Sequence, residues 1–133
     1  MIEKTFPADI KELSSVLVFL EEELDKAETN PKLMVTFAIA VEELFVNVAH
    51  YAYPDSKGTA KIGIDTSGDS IVVRISDSGI QFNPLAKPDP DVTLSAEERK
   101  IGGLGIFMVK KSMDSVVYEY KDNQNILTIS KRK

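Results

Sequence analysis

The sequence predicts an α+β two-layer sandwich, a mostly antiparallel sheet with helices on one face. Three observations lead there. Two amphipathic helical segments follow each other directly near the start, and two later pairs of alternating segments read as hairpins. The strand positions also keep polar residues on their outer side, as a sheet with one solvated face does. The chain has 133 residues, 43% hydrophobic and 28% charged, which suits a single domain over residues 1–133 with one core.

Taken in order, Ile2 to Phe6 is a short strand. Pro7-Ala8-Asp9 opens a first helix, with Ile10, Leu13, Val16 (or Leu17) and Leu20 at helical spacing, running past Glu21-Glu22-Glu23 to about residue 28. Thr29-Asn30-Pro31 is a helix-start signal with proline at the first helical position. The second helix places Leu33, Met34, Phe37, Val41, Leu44, Phe45 and Val48 on one face and reaches about Ala52.

Pro54 to Gly58 supplies turn chemistry, and Lys61 to Asp65 and Ser70 to Ser76 then alternate around Ser67-Gly68-Asp69 as a hairpin. Asp77 to Gly103 contains Pro84, Pro88 and Pro90 and reads as a long, mostly irregular loop with one helical turn at Ser95 to Lys100. Leu104 to Met113 is a third helix, and Ser115 to Lys121 with Asn125 to Lys131 close the chain as a second hairpin. No internal repeat or low-complexity tract interrupts this order.

Charge and composition narrow the partners. A formal net charge of −5 opposes a nucleic-acid footprint, which needs clustered Lys and Arg, and favours protein or small-molecule partners. With no cysteine there is neither a disulfide framework nor a thiolate metal site, which suits a reducing cytoplasm. Met1 to Phe6 lacks the basic-then-apolar pattern of a leader, and no segment is expected to supply the roughly 20 apolar residues of a membrane span. The expectation is a cytoplasmic chain with no membrane association.

Three short stretches carry candidate chemistry. On the second helix Glu43 and Asn47 lie one turn apart, on a strip with Thr36, Ala40 and His50 beside the apolar face. A carboxylate next to a carboxamide offers hard oxygen ligands for a divalent metal and a base to orient a hydroxyl, although the same strip also reads as a solvated helix edge. Asp77-Ser78-Gly79 sets a carboxylate at a strand end where glycine admits close approach, and is equally an ordinary turn.

Gly102-Gly103-Leu104-Gly105 leads bare backbone into a helix N-terminus, an arrangement that attracts phosphate or serves as a hinge. No Gly-x-x-x-x-Gly-Lys-Ser/Thr loop is present, and these glycines do not follow a strand as a dinucleotide-binding turn requires. His50, the sole histidine, reads as a packing or surface residue.

The order Glu-x-x-x-Asn on a helix, Asp-x-Gly after a strand, then a glycine cluster opening a helix resembles the Bergerat-type, histidine kinase-like ATPases shared by histidine kinases, gyrase and the mismatch-repair and heat-shock ATPases. More closely, VEELFVNVAHYAYP, DSGIQFNP and GGLGIFMVKKSMD resemble the stand-alone anti-sigma-factor serine kinases of bacterial partner-switching systems.

The resemblance implies that ATP and Mg²⁺ are bound, with Asn47 as the metal ligand and Glu43 as general base. It further implies that Asp77 accepts the adenine amino hydrogen, that Gly79 belongs to the adenine-side turn, and that the phosphates lie against Gly102, Gly103, Leu104 and Gly105. Leu85 to Ile101 would be an ATP lid. Arg99 and Lys100, at its end, could reach the terminal phosphates or remain solvated beside Glu97 and Glu98.

The chain departs from the family pattern at two places. Tyr51 stands where the family has histidine, and Asn123 to Thr128 replaces a Gly-Thr pair near the nucleotide. The implied function is a serine/threonine kinase acting on an anti-sigma-factor antagonist and binding a sigma factor, with a homodimer compatible with the sequence. The alternative is a non-catalytic nucleotide-binding module that sequesters a sigma factor or another regulator. The catalytic half of a histidine kinase fits less well, for no helix pair with an acceptor histidine is evident.

Overall fold

In the computed structural model, residues 1–86 and 103–133 are described, with side chains from 105 onward in the second stretch. The strands are β1 (Ile2–Pro7), β2 (Thr59–Asp65), β3 (Ser70–Asp77), β4 (Ser115–Lys121) and β5 (Gln124–Arg132). The helices are α1 (Leu13–Lys26), α2 (Pro31–Tyr51) and α3 (Gly103–Ser112). The five strands form one sheet in the order β1-β2-β3-β5-β4, and every pairing is antiparallel.

Local chemistry explains the element ends. Asp9 accepts the Lys11 amide at 2.9 Å and caps a 3-10 turn, Ile10–Glu12, that leads into α1. The first helix therefore begins as a tighter turn, and it ends at Lys26 rather than near residue 28. Its last turn closes with the Thr29 amide donating to Leu24 O and the Glu28 amide to Asp25 O, with Glu28 at φ 55. Asn30 then caps α2 by accepting the Leu33 amide at 2.9 Å, one residue before Pro31.

In the β2–β3 loop, Asp65 accepts both the Ser67 amide and its hydroxyl; these bonds hold the Asp65 carboxyl below its ordinary range. Asp122 and Asn123, both at positive φ, form the two-residue turn between β4 and β5, as a hairpin with right-twisted strands prefers.

The core lies between the sheet and the helices. Phe37, Val41 and Phe45 of α2 and Val16, Leu20 and Leu24 of α1 meet Ile62, Ile71, Val73 and Ile129 of the sheet, all essentially without solvent contact. The α2 helix packs between α1 and α3, and Ile106, Val109 and Met113 seat α3 on the same core.

One expectation requires correction: at 21 residues and a mean hydropathy of 1.5, α2 is long and apolar enough to cross a membrane by length and composition. Helix α2 is so apolar because the central helix of a two-layer sandwich covers the sheet along its length, placing Leu33, Phe37, Ala40, Val41, Leu44 and Phe45 inside.

Candidate functional site

The C-terminal half of α2, the end of β3 and the closing hairpin surround a pocket of about 500 Å³, part of it open to solvent. Its walls are mostly apolar: Leu44 and Val48 from α2, Ile75 from β3, Ile80, Phe82 and Pro84 from the loop beyond, and Leu127 from β5. Four polar side chains interrupt these walls, namely Asn47, Asp77, Tyr118 and Asn125, with Tyr51 at the α2 end. A mostly apolar cleft with a few convergent polar groups is the form that orients a small planar ligand.

Asp77 is a buried carboxylate, 8% exposed, at the last position of β3. Its Oδ1 accepts the Gly79 amide at 2.9 Å and Asn125 Nδ2 at 3.0 Å. Both bonds end on the same oxygen, so Oδ2 remains an acceptor with no donor among the described residues. A carboxylate in an apolar wall is stabilised by N–H donors, and an exocyclic amine would supply one.

The turn that carries Gly79 is fixed on three sides. A Cβ at Gly79 would overlap Ala52 O and lie 2.7 Å from Ala52 C, so the loop runs flush over the end of α2, where only glycine fits. The Ile80 amide donates to Ala52 O at 2.9 Å. Tyr53 accepts the Ser78 amide at 2.9 Å through its hydroxyl, which in turn donates to Thr59 O at 2.6 Å and ties the turn to the start of β2.

Asn47 lines the pocket half-buried, and its carboxamide makes no hydrogen bond among the described residues. One turn earlier on α2, the Glu43 side chain lies over Gly105 of α3; a Cβ at Gly105 would overlap Glu43 Oε2. The glycine cluster therefore meets the Glu43–Asn47 strip at the first turn of α3, where backbone N–H groups are free of intrahelical partners. Thr36 instead turns its hydroxyl back to Lys32 O, and His50 is exposed, edge-on to Tyr51.

The fold thus brings Asn47 and Asp77 to one pocket, ties Gly79 to Asp77 in the adjoining turn, and sets Glu43 against Gly105, with Gly103 opening α3. Gly102, Arg99, Lys100 and the helical turn at Ser95 to Lys100 lie outside the described residues, as does the side chain of Leu104. Of the segment read as a lid, only Leu85 and Ala86 are described, in a 3-10 turn, Pro84–Ala86.

Asn125, Tyr53 and Tyr118 also build the site, although no motif in the sequence singles out a role for them there. A signal for Asn125 did exist. It shares the period-2 face of Leu127 and Ile129, so it is a polar residue at a core-facing position.

The profile of the histidine kinase-like ATPase domain matches residues 6–131. The chain belongs to that family. Among histidine kinase-like ATPases it is similar to the serine-protein kinase RsbW of Listeria monocytogenes, 30% identical over 94 residues that make up 67% of this chain and 60% of that protein. It is also similar to the serine/threonine-protein kinase BtrW of Bordetella bronchiseptica, 20% identical over 118 residues, 88% of this chain and 83% of the relative. The chain thus spans about three fifths of the Listeria kinase's length.

Among solved structures, the RsbU and RsbW domains of a Mycobacterium tuberculosis protein superpose with a TM-score of 0.65 at 12% identity, over 99% of this chain and 32% of the other. The histidine kinase AdeS of Acinetobacter baumannii gives 0.51 at 16% identity, over 99% of this chain and 68% of that one. At these identities the likeness is one of fold, the histidine kinase-like sandwich of an antiparallel sheet under helices.

Proposed function

We propose that this chain, as a single ATPase domain over residues 1–133, is an ATP-dependent protein serine/threonine kinase of the anti-sigma type. Its substrate is a serine or threonine of an anti-sigma-factor antagonist, and its second partner a sigma factor, in the cytoplasm. The observation that carries the reading is the pocket that unites Asn47 of α2 with Asp77 of β3, one offering a hard oxygen and the other a buried acceptor for an amine.

In this reading the adenine lies between the apolar walls, its amino group donating to Asp77 Oδ2. The Asn47 carboxamide suits Mg²⁺, a hard cation. Held by Asn47, the ion would neutralise phosphate charge.

The first-turn amides of α3 receive the phosphates, and the buried residues Ile106, Val109 and Met113 hold that helix in place. Glu43 takes the proton of the partner's hydroxyl as its oxygen bonds to the γ-phosphorus. The bond from that phosphorus to the bridging oxygen breaks, and ADP leaves with the electron pair.

The test is transfer from γ-labelled ATP to candidate antagonist proteins. Label on a serine or threonine, lost in Glu43→Ala, is the expected result. ATP binding without any labelled partner would make the chain a nucleotide-gated binding module instead.

A further inference from the structure

We infer that Asn125 is the positioning residue that sets base selectivity in this pocket, holding Asp77 in the orientation that accepts a purine bearing a 6-amino group. The inference rests on the ATP-site reading above.

Asn125 is 7% exposed and uses its whole hydrogen-bonding capacity inside the protein. Nδ2 donates to Asp77 Oδ1 at 3.0 Å and to Ile80 O at 2.8 Å. Oδ1 accepts the Phe82 amide at 3.0 Å and the Tyr118 hydroxyl at 2.6 Å. Two acceptors face the nitrogen and two donors face the oxygen, so a flipped amide would set oxygen against oxygen on one side and N–H against donors on the other. Its orientation is fixed, and no hydrogen remains to offer a ligand; Asn125 acts through Asp77.

The sheet register enforces the pair. Asp77 and Asn125 are direct partners across β3 and β5, and Tyr118 stands diagonally opposite Asn125 across β4 and β5. Partial burial, with the Asp77 charge adding to it, pushes the Tyr118 phenol above its ordinary value, so it keeps the proton it donates to Asn125.

With Oδ1 held by Gly79 and Asn125, the carboxylate presents Oδ2 alone. An acceptor of that kind pairs with a 6-amino hydrogen, is left unpaired by a purine without one, and faces a lone pair on a 6-oxo purine. A site that leaves a buried polar group unpaired discriminates strongly.

The experiment measures calorimetric affinities of the full chain for Mg-ATP and for purine riboside triphosphate, which lacks the 6-amino group. Wild type, Asn125→Ala and Tyr118→Phe are compared. Wild type should prefer ATP by about tenfold or more. In Asn125→Ala the ATP affinity should fall about tenfold while the analogue stays within about twofold, so the preference collapses; Tyr118→Phe should move the same way by less.

Equal weakening of both nucleotides in Asn125→Ala, or no change in either, overturns the inference. Should that variant fail to fold by circular dichroism, an unchanged preference in Tyr118→Phe overturns it instead. A wild type that binds both nucleotides equally removes the Asp77 contact and the inference with it, and one that binds no ATP overturns the functional proposal itself.

Discussion

The Glu43 carboxylate lies directly against the bare α carbon of Gly105, where an added Cβ would overlap Oε2 and come within 2.9 Å of Cδ. The proposed base thus fills the space that a Gly105 side chain would take, and the missing side chain is what lets the carboxylate lie on the first turn of α3. Alanine at Gly105 should displace that carboxylate and lower phosphoryl transfer by about 10²-fold or more, in the range of losing a general base.

A double-mutant cycle separates this packing from helix propensity. In a Glu43→Ala background the obstacle is gone, and Gly105→Ala should stabilise the chain by up to about 1 kcal/mol, the alanine preference within a helix. In wild type part of that gain is offset, because the Glu43 side chain must swing aside. Urea unfolding of the four proteins checks the sign, and additive effects would remove the contact from the account.

Gly79 meets backbone rather than a flexible side chain. Gly79→Ala would push against Ala52 O and the Ile80–Ala52 hydrogen bond, neither of which can swing aside. Destabilisation of about 1–3 kcal/mol is expected, as for overpacking elsewhere, together with loss of nucleotide affinity. Chemical denaturation and calorimetry measure the two effects, and a neutral substitution would show that the turn has room.

Asn47→Ala should weaken nucleotide binding in the presence of magnesium and leave the magnesium-free affinity nearly unchanged. The carboxamide is free of protein hydrogen bonds among the described residues, so its removal strands no partner. Titration with and without EDTA checks this. An equal loss under both conditions would assign Asn47 to the base or sugar and not to the metal.

The raised pKa of Tyr118 has a pH consequence. The folded chain favours the neutral phenol, so this contribution to stability is fully present below the ordinary value of 10.0 and is lost as pH rises through the higher folded value. The stability advantage of wild type over Tyr118→Phe should therefore hold at neutral pH and shrink above about pH 10. Unfolding midpoints of both proteins across that range provide the comparison; parallel curves would refute it.

Much of this was legible in the chain because it is local. The Asn30-Pro31 cap, the apolar face from Leu33 to Phe45 and the alternation in β2, β3 and β5 each follow from neighbours within a turn or a pleat, and each element lies where these predict. The end of α1 shifted because Glu28 takes the left-handed position usually given to glycine, a closure that composition does not announce.

The order of the elements, their apolar faces, and the succession of a Glu-x-x-x-Asn helix, an Asp-x-Gly strand end and a glycine-led helix are all written in neighbouring residues. The insertion of β5 between β3 and β4, which sets Asp77 opposite Asn125 across 48 residues of chain, arises in three dimensions. The reason is physical: helix and strand periodicities are fixed by side chains two to four residues apart, whereas strand order is set by burying a whole sheet beneath α1, α2 and α3. The contacts that make the pocket selective belong to that second scale.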